Sequence, residues 1–442
     1  MYKKLLLIIL FPVLTYAQHT IKGTFTPAEE YKWAILYRIE PEHMFYTANT
    51  QVKEDGTFTL ELDKSVPTGV YRLVYALPQE IYNFDIIYNG TENIELTFSA
   101  DNGLSFHSSE ENILLSAYES VMSEAQEMVG LAYQESPQGS PEVQKAFVNL
   151  ELIQNQFEKD AAGYLAFNFV KANRPYIPKK SLDFETYLKN YKENYFKYVD
   201  FNDPILQKSG FPTQRALNYI KGFTSTKKDK KVSYNENIDA VALAIKNTDS
   251  LYQKALLGNL WQELVNDENV NAANHLAEKH LIPIADSLDD KELSEKLTLF
   301  KNLSIGSKAP DFSWEQVIDG RTLQNSLHKI DEAKNYILVF WSSGCSHCLK
   351  EVPLLHDKIK NLKKGDYKVI AIGLEDEPYD WRNRIFDFPE FVNVLGLGKW
   401  ENEIGNKYDV ISTPTYFILD KDKNIIAKPE HLEDVVKIID NK

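Results

Sequence analysis

Residues 335–353 read Asn-Tyr-Ile-Leu-Val-Phe-Trp-Ser-Ser-Gly-Cys-Ser-His-Cys-Leu-Lys-Glu-Val-Pro, and both cysteines of the 442-residue chain lie in this segment. The apolar run Ile337–Trp341 predicts a strand, and the residues after the Cys-x-x-Cys tetrapeptide have a helical period. A strand that ends where a helix begins places Cys345 at the helix N-terminus, where free backbone N–H groups and the macrodipole favour an anion. The thiolate is the reactive form of cysteine. Since no cysteine remains for a structural role, the segment predicts thiol–disulfide redox chemistry.

The helical period gives the two cysteines different surroundings. One face of the predicted helix carries Cys348, Val352, Leu355, Ile359 and Leu362. Residues three and four apart share a helix face, so Cys348 should face the sheet while Cys345 lies at the exposed tip. We therefore expect Cys345 to attack as a thiolate and Cys348 to resolve the mixed disulfide. His347 is expected to lower the pKa of Cys345 by its charge or by a hydrogen bond; the alternative is an exposed, uninvolved side chain.

The charge of the chain and its N-terminal segment indicate an exported protein. The formal net charge of −15 argues against nucleic acid or an anionic membrane as the main partner. Residues 1–17 combine Lys3 and Lys4, the apolar run Leu5–Leu14 and the ending Thr15–Ala17, which is the three-part pattern of a cleaved signal peptide. The alternatives are a retained anchor and a buried N-terminal strand. We expect a periplasmic protein with no membrane insertion after signal cleavage.

Three regions follow the predicted signal peptide, so the chain is expected to be multidomain. Residues 18–104 are β-rich, and their alternating segments are His19–Phe25, Thr57–Leu62, Val70–Tyr75 and Ile94–Phe98. Short strands separated by regular turn signals predict a small antiparallel β-sandwich. Residues 105–302 change to a helical period, with helix starts at Ser108–Glu111 and Ser140–Glu142, and predict an all-α region. Residues 303–442 predict an α/β domain.

Two features of the helical region have a structural and a functional interpretation. An aromatic series at helical spacing comprises Phe184, Tyr187, Tyr191, Tyr195 and Tyr198. Such a series on one helix face more often belongs to a core than to a partner-binding groove. The lysine-rich segment 224–231 is expected to be a solvated loop, with a docking patch as the alternative.

Strands and helices alternate after residue 306, which predicts a central, partly parallel sheet. The predicted strands are Tyr336–Trp341, Tyr367–Leu374, Val392–Leu395, Thr415–Asp420 and Asn424–Lys428. The predicted helices are Ser346–Lys364, Asp380–Phe386, Glu401–Tyr408 and Glu430–Asp440. The Cys-x-x-Cys segment follows the first of these strands.

The motifs of this last region resemble those of the thioredoxin superfamily. The resemblance is carried by Phe340-Trp341-x-x-x-Cys-x-x-Cys, by Pro353 after the second cysteine, and by Ser412-Thr413-Pro414-Thr415-Tyr416-Phe417. Ile305-Gly-Ser-Lys-Ala-Pro-Asp-Phe312 is similar to the strand that enters the domain in the extracytoplasmic TlpA/ResA branch. The resemblance covers about residues 303–442. The regions before it resemble the N-terminal parts of Bacteroidetes-type exported proteins.

The resemblance implies a thiol–disulfide oxidoreductase with a substrate site beside the cysteines. Thr413-Pro414 is expected to form a cis peptide bond in a loop facing the cysteines, and the Thr413 backbone to pair with an extended substrate segment. An ordinary trans turn is the alternative. Trp341 is included with Thr413 and Pro414 among the expected substrate contacts. The expected partners are a protein disulfide substrate and an upstream thiol electron donor, and no cofactor is expected.

Departures from the family pattern affect the proton and the direction of electron flow. Val339 stands where cytosolic thioredoxins have a buried aspartate, and Gly344 replaces their tryptophan before the first cysteine. Glu351 is similar to an acidic residue of the TlpA/ResA branch and is expected to accept a proton from Cys348, with an exposed helix glutamate as the alternative. A reductase is favoured by the resemblance. A disulfide oxidase or isomerase stays open, since Cys-x-His-Cys and threonine before the proline also resemble those classes.

Other chemistries fit the cysteines less well. Haem attachment needs a histidine after the second cysteine, where Leu349 stands. Zinc needs a further pair of ligands, and copper would need Cys345, His347 and Cys348 with a distant His356 or His431, so a metal site is disfavoured. Peroxidase chemistry lacks its proline–threonine–cysteine arrangement. A different class stays open: a partner-binding protein whose redox domain acts as a sensor.

Overall fold

The structure is a computed structural model that describes residues 19–79, 81–224, 229–318 and 321–441. The chain forms two compact units, Met1–Gln262 and Glu263–Lys442. The predicted signal peptide lies outside the described residues, as do residues 225–228 of the lysine-rich segment. The boundaries expected after residues 104 and 302 stay predictions.

The first unit begins with two four-stranded sheets. Their strands are β1 (His19–Thr26), β2 (Trp33–Ile39), β3 (Met44–Gln51), β4 (Thr57–Leu62), β5 (Gly69–Val74), β6 (Asn83–Tyr88), β7 (Ile94–Ser99) and β8 (Gly103–Phe106). The strand orders are β4-β1-β7-β8 and β3-β2-β5-β6. Buried side chains from both sheets, including Phe25, Phe58, Leu36 and Tyr71, form one core. The predicted β-sandwich is therefore confirmed.

One strand pair departs from the predicted antiparallel arrangement. β7 runs parallel to β1, with Ile21 opposite Ile94 and Thr26 opposite Ser99. A parallel pair needs a crossover connection, and the chain provides it by passing through the other sheet as β5 and β6 before it returns as β7. The sequence pattern does not predict β2, β3, β6 and β8. Their apolar residues do not alternate clearly along the sequence, or the strand is short.

Helices follow the sandwich. They are α1 (Glu110–Glu135), α2 (Pro141–Asp160), α3 (Ala166–Ala172), α4 (Phe184–Glu193), α5 (Pro204–Gln207), α6 (Phe211–Gly222), α7 (Lys230–Ile245) and α8 (Ser250–Asn266). Ser140 caps α2 as predicted, since its hydroxyl accepts a hydrogen bond from the Val143 N–H at 3.2 Å. The side-chain cap expected at the start of α1 is absent. Ser109 instead donates its hydroxyl to Glu92 Oε1 at 2.8 Å.

The predicted aromatic face is shorter than expected. α4 ends before Tyr195 and Tyr198. Tyr187 stacks on Tyr191, with ring centroids 5.8 Å apart, and Tyr191 contacts Tyr195 edge to face. These ring contacts fit the core interpretation, whereas Phe184 at the start of the series is 41% exposed.

The second unit has helices and a hairpin before its main sheet. The helices are α9 (Val270–Leu276), α10 (Ile282–Ser287) and α11 (Lys291–Asn302), and the hairpin pairs β9 (Ser313–Ile318) with β10 (Arg321–Ser326). Residues 305–312 do not form the strand that the sequence suggests. They pair only over a short stretch with residues 423–425, through a bridge between Lys308 and Asn424 and backbone hydrogen bonds on both sides of it. Gly306 has a φ of 90° and Pro310 lacks an N–H, so this pairing does not extend into a regular strand.

The main sheet has the strand order β13-β12-β11-β14-β15. Its strands are β11 (Asn335–Trp341), β12 (Tyr367–Glu375), β13 (Val392–Leu397), β14 (Thr415–Asp420) and β15 (Ile425–Ala427). Its helices are α12 (Cys348–Lys360), α13 (Pro378–Arg384), α14 (Glu403–Lys407) and α15 (Leu432–Asp440). β11, β12 and β13 are parallel, whereas β14 is antiparallel to β11 and β15 to β14. The predicted partly parallel sheet is confirmed.

Cores form on both faces of this sheet because successive side chains of β11 point to opposite faces. The core on one face contains Tyr336, Leu338 and Phe340. The core on the other face contains Ile337, Val339, Trp341 and the predicted apolar face of α12, namely Cys348, Val352, Leu355 and Ile359. Pro353 lies inside α12. This packing fixes the start of α12 beside the end of β11.

Gly373 in β12 offers a test of the packing beside the site. A Cβ at this position would lie 2.1 Å from Trp381 Nε1, which is too close for any contact. We expect Gly373→Ala to reduce the free energy of unfolding by about 1–3 kcal/mol, the usual cost of overpacking. Gly258→Ala in α8 is the control, because no described atom lies within 4 Å of its added Cβ. Thermal unfolding should show a lower transition for Gly373→Ala only; equal transitions would contradict this packing.

Candidate active site

Cys345 lies in the turn just before α12, two residues ahead of His347, which is the N-cap residue. The helix begins at Cys348, two residues later than predicted, and the Leu349 N–H donates to the Cys345 carbonyl at 3.0 Å. The Cys348 N–H donates to the Cys345 sulfur at 3.1 Å. The sulfur thus takes the place that a serine or aspartate oxygen has at other helix N-termini, where it satisfies a free N–H group.

The proline loop brings a second element to the same sulfur. The Cys345 thiol donates to the Thr413 carbonyl at 3.3 Å, and the Thr413–Pro414 peptide bond is cis as predicted. Cys345, Thr413 and Pro414 are all half-buried, so each keeps some surface open to solvent. The loop before β14 and the start of α12 therefore meet at the Cys345 sulfur.

The surroundings of Cys345 favour its ionised form. Partial burial tends to raise the pKa of the Cys345 thiol. Hydrogen bonds with the thiol and the N–H of Cys348, with the side chain of Thr413 and with the backbone of His347 outweigh this burial, and together they lower the pKa below its ordinary value. Hydrogen bonds to an anion stabilise it more than they stabilise the neutral group.

Cys348 has the opposite environment. It has no exposed surface, and burial raises the pKa of its thiol to about 12. The neighbouring Cys345 sulfur adds to this rise. Because the two thiols interact, ionisation of one opposes ionisation of the other. The pair therefore combines an accessible thiol that ionises readily with an interior thiol that keeps its proton.

Glu351 is joined to a tyrosine that the sequence pattern did not single out. It is half-buried and accepts a hydrogen bond from the Tyr416 hydroxyl at 2.9 Å. Tyr416 is 1% exposed and lies opposite Val339 in the register of β11 and β14. Opposite residues of adjacent strands share a face. Tyr416 thus brings a hydroxyl to the face where Val339 provides no carboxylate.

Burial raises the pKa of the Tyr416 phenol, and the hydrogen bond to Glu351 adds to the rise. The phenol therefore stays protonated and remains a donor to the Glu351 carboxylate. The exposed-glutamate alternative for Glu351 is excluded by its half-buried position and this bond. Tyr416 is 65 residues from Glu351 in sequence, so this hydrogen bond could be found only from the register of the strands.

His347 and Trp341 are placed differently from the other expected residues. His347 is exposed, and in the described part of the chain its backbone, not its imidazole, acts on the Cys345 sulfur. Trp341 is fully buried and packs edge to face on Phe388, with ring centroids 6.0 Å apart. The expected substrate contact of Trp341 is therefore wrong. The pleat of β11 directs its side chain into the core that holds α12.

A buried carboxylate near the cysteines was also missed by the sequence pattern. Glu375 is the last residue of β12, the parallel neighbour of β11, and is 6% exposed. Ligand and active sites of α/β sheets form at the carboxyl ends of the strands. The sequence feature that could have identified Glu375 is a charged residue at the end of an apolar strand, next to the strand that leads to the cysteines.

The residues that could have completed a metal site at the cysteines do not gather there. Among the described residues, neither cysteine belongs to a group of three or more side chains placed to hold a metal ion. His356 is hydrogen-bonded to Glu390 and packs against the ring of Phe388. The partners of the Cys345 sulfur are hydrogen-bonding groups of α12 and of the proline loop.

Comparison with known proteins agrees with this geometry. Residues 333–425 match a family model described as thioredoxin-like. The thiol-disulfide oxidoreductase ResA of Bacillus thuringiensis subsp. konkukian is 27% identical over 146 residues, which are 31% of this chain and 80% of that protein.

Solved structures from other bacteria are also similar. A domain of a possible thiol-disulfide isomerase from Cytophaga hutchinsonii is 32% identical, covering 31% of this chain and 92% of that one with a TM-score of 0.27. A thioredoxin-like protein from Bacteroides caccae is 21% identical, covering 60% of this chain and 97% of that one with a TM-score of 0.33.

Alkylation at varied pH tests the asymmetry of the pair. We expect Cys345 to react with iodoacetamide along a titration curve whose midpoint lies below about 8.5, the value of a free cysteine. Cys348 should stay unmodified in the folded protein, because burial raises its pKa to about 12. Peptide mapping by mass spectrometry measures both. In urea the two thiols should titrate alike, and an ordinary midpoint for Cys345 in the folded chain would contradict the assignment.

Proposed function

We propose that this chain, whose C-terminal region is a thioredoxin-like domain of a thiol–disulfide oxidoreductase, reduces disulfide bonds of protein substrates outside the cytoplasm. The observation that carries the proposal is the opposed environment of the two sulfurs. Cys345 has a lowered pKa and open surface, while Cys348 has no exposed surface and a pKa raised to about 12. An accessible thiol that ionises readily and a buried thiol that stays protonated suit a two-step disulfide exchange.

In the first step the Cys345 thiolate attacks one sulfur of the substrate disulfide. The substrate S–S bond breaks, a mixed disulfide forms with Cys345, and the other substrate sulfur leaves as a thiolate that takes up a proton. In the second step Cys348 loses its proton and attacks the Cys345 sulfur. The Cys345–Cys348 disulfide forms and the second substrate thiol leaves. Two electrons pass to the substrate, and an upstream thiol donor restores the dithiol.

The neighbouring groups have roles in these steps. The Thr413 carbonyl lies 3.3 Å from the Cys345 sulfur, so a substrate strand that pairs with the Thr413 backbone would present its disulfide to that sulfur. Pro414 adds no N–H that could compete with such a strand. Glu351, held by Tyr416, is the carboxylate that we assign to receive the proton of Cys348. A general base of this kind is needed because Cys348 keeps its proton when buried.

The way in which Cys345 is stabilised supports one direction of electron flow. A cation beside the sulfur would stabilise the reduced form strongly and make the pair a strong oxidant. In the described residues the sulfur has neutral hydrogen-bonding partners from Cys348, Thr413 and the His347 backbone, and the His347 side chain is exposed. This weaker stabilisation supports a reductase over an oxidase. The role of His347 in tuning the pair stays a prediction.

The proposed location is the periplasm. It is supported by the three-part pattern of residues 1–17. No helix in the described part of the chain is long and apolar enough to span a membrane. An exported location also gives the dithiol a supply of protein disulfides, since these persist in oxidising compartments.

Trapping of the mixed disulfide tests the roles of the two cysteines. In Cys348→Ser the first step can proceed but the second cannot, so a covalent complex with a disulfide-bonded protein should accumulate. Non-reducing electrophoresis of the full chain with such a protein measures it. Cys345→Ser is the matched control and should form no complex and show no dithiol exchange. A complex through Cys348 in that variant would reverse the assignment.

The reduction potential tests the direction. We expect the Cys345/Cys348 pair to equilibrate near the thioredoxin value of about −270 mV and far from the value of about −120 mV found for strong oxidants. Equilibration with glutathione buffers, read by alkylation of the free thiols, gives the potential. A value near the strong oxidants would replace the reductase proposal with the oxidase alternative.

A further inference from the structure

Glu375 is a buried carboxylate with an unusual set of partners. Its side chain is 6% exposed, yet in the described residues it forms no ion pair with a lysine, arginine or histidine. A charge in such a place is costly unless hydrogen bonds satisfy it. Three groups do so: the Ser343 N–H at 2.5 Å, the Ser343 hydroxyl at 2.9 Å and the Ser342 hydroxyl at 3.3 Å. All three belong to the turn that joins β11 to Cys345.

The bonds continue from this turn to the reactive cysteine. Ser342 accepts the Gly344 N–H on its hydroxyl at 3.3 Å and the Cys345 N–H on its carbonyl at 3.1 Å. The carboxylate is therefore linked to the Cys345 backbone through one residue. The backbone of Glu375 is itself fixed, because its carbonyl accepts the Gly398 N–H at 3.0 Å.

The turn needs such an anchor. It lies beyond the last paired residue of β11, since the register of β11 with β12 ends at Trp341. Gly344 has no side chain to pack and is exposed. On its other side, Cys345 must stay within hydrogen-bonding distance of the Cys348 N–H and the Thr413 carbonyl. A displacement of the turn would lengthen these contacts.

We propose that Glu375 is a positioning residue that holds the turn Ser342–Gly344 and thereby keeps the Cys345 sulfur against the N–H of Cys348 and the carbonyl of Thr413. The inference deepens the proposed disulfide exchange and rests on it for its kinetic consequence. Under this inference Glu375, at the end of β12, contributes to the reactivity of Cys345, which follows β11. Glu375 itself neither attacks the substrate nor moves a proton.

Two readouts separate positioning from a merely structural role. The first is the pH dependence of Cys345 alkylation, which needs no substrate. The second is the rate of reduction of a disulfide-bonded protein such as insulin. The titratable groups around the sulfur include Cys348 and Glu351 on α12, His347 just before it and Tyr416 on β14, and the substitutions leave all of them unchanged. Near-UV circular dichroism of each variant of the full chain reports whether the fold is kept.

Glu375→Ala removes all three bonds to the turn. We expect the alkylation midpoint of Cys345 to move up towards that of a free thiol and the rate of disulfide reduction to fall about tenfold, as for loss of a hydrogen bond to a charged group. Glu377→Ala is the matched control. It removes the same charge at an exposed position two residues along the chain and should leave both readouts unchanged.

Two further variants keep the test decisive if Glu375→Ala does not fold. Glu375→Gln can still accept the Ser343 N–H, so its rate should lie nearer the wild-type rate than that of Glu375→Ala. Ser343→Ala keeps the carboxylate charge but loses one hydroxyl bond, and should raise the midpoint by a smaller amount.

The outcomes that overturn the inference differ from those that overturn the proposed function. An unchanged or lowered midpoint in Ser343→Ala and in every Glu375 variant that folds would show that the carboxylate acts through its charge alone or not at all. A wild-type chain that reduces no disulfide would instead remove the proposed function. In that case the alkylation readout would still decide whether Glu375 positions Cys345.

Discussion

The hydrogen bond from the Cys348 N–H to the Cys345 sulfur is the contact on which the site depends. A hydrogen bond to a charged group contributes about 1.5–3 kcal/mol, and one pKa unit corresponds to about 1.4 kcal/mol. One or two such bonds are therefore enough to outweigh the partial burial of Cys345 and leave its pKa lowered. The same helix turn buries Cys348. One backbone geometry thus gives the two sulfurs their opposite properties.

Strands on both sides of β11 contribute groups to the site around this contact. β14, the antiparallel neighbour, leads out of the loop that brings the Thr413 carbonyl to the sulfur and carries Tyr416 to Glu351. β12, the parallel neighbour, ends in Glu375, which bonds to the turn before Cys345. The helix is held by its apolar face in the core shared with Trp341. The sheet therefore positions the groups of the site, which lie at the end of β11.

The local part of this arrangement could be predicted from the sequence, because it depends on short-range periodicity. The spacing from Cys348 to Ile359 fixed which cysteine faces the core, and Ser140 was identified as a cap from its neighbours. The predictions that were wrong depend on tertiary contacts, which the sequence pattern does not contain. Trp341 was assigned to the substrate, although the pleat of β11 turns it inward. Residues 305–312 resemble a strand in composition, yet Gly306 and Pro310 limit them to a short pairing with residues 423–425.

Long-range partners form a second group that the pattern could not supply. Tyr416 and Glu375 reach the site only through the register of β14 and β12 on β11, and the parallel pair β1–β7 depends on a crossover through the other sheet. Ser108–Glu111 was expected to start α1 with a side-chain cap, but the Ser109 hydroxyl bonds to Glu92 instead. In each case a tertiary contact outweighs a local preference.

Pro353 has a mechanical consequence for α12. Proline has no N–H, so the Leu349 carbonyl lacks its usual partner four residues along, and the proline ring crowds that carbonyl. The turn that bears Cys348 is joined to the remainder of the helix by fewer bonds than an uninterrupted helix would have. The attachment of this turn to the protein therefore depends more on the side-chain packing of Cys348 and Val352 in the core than on the backbone of the helix.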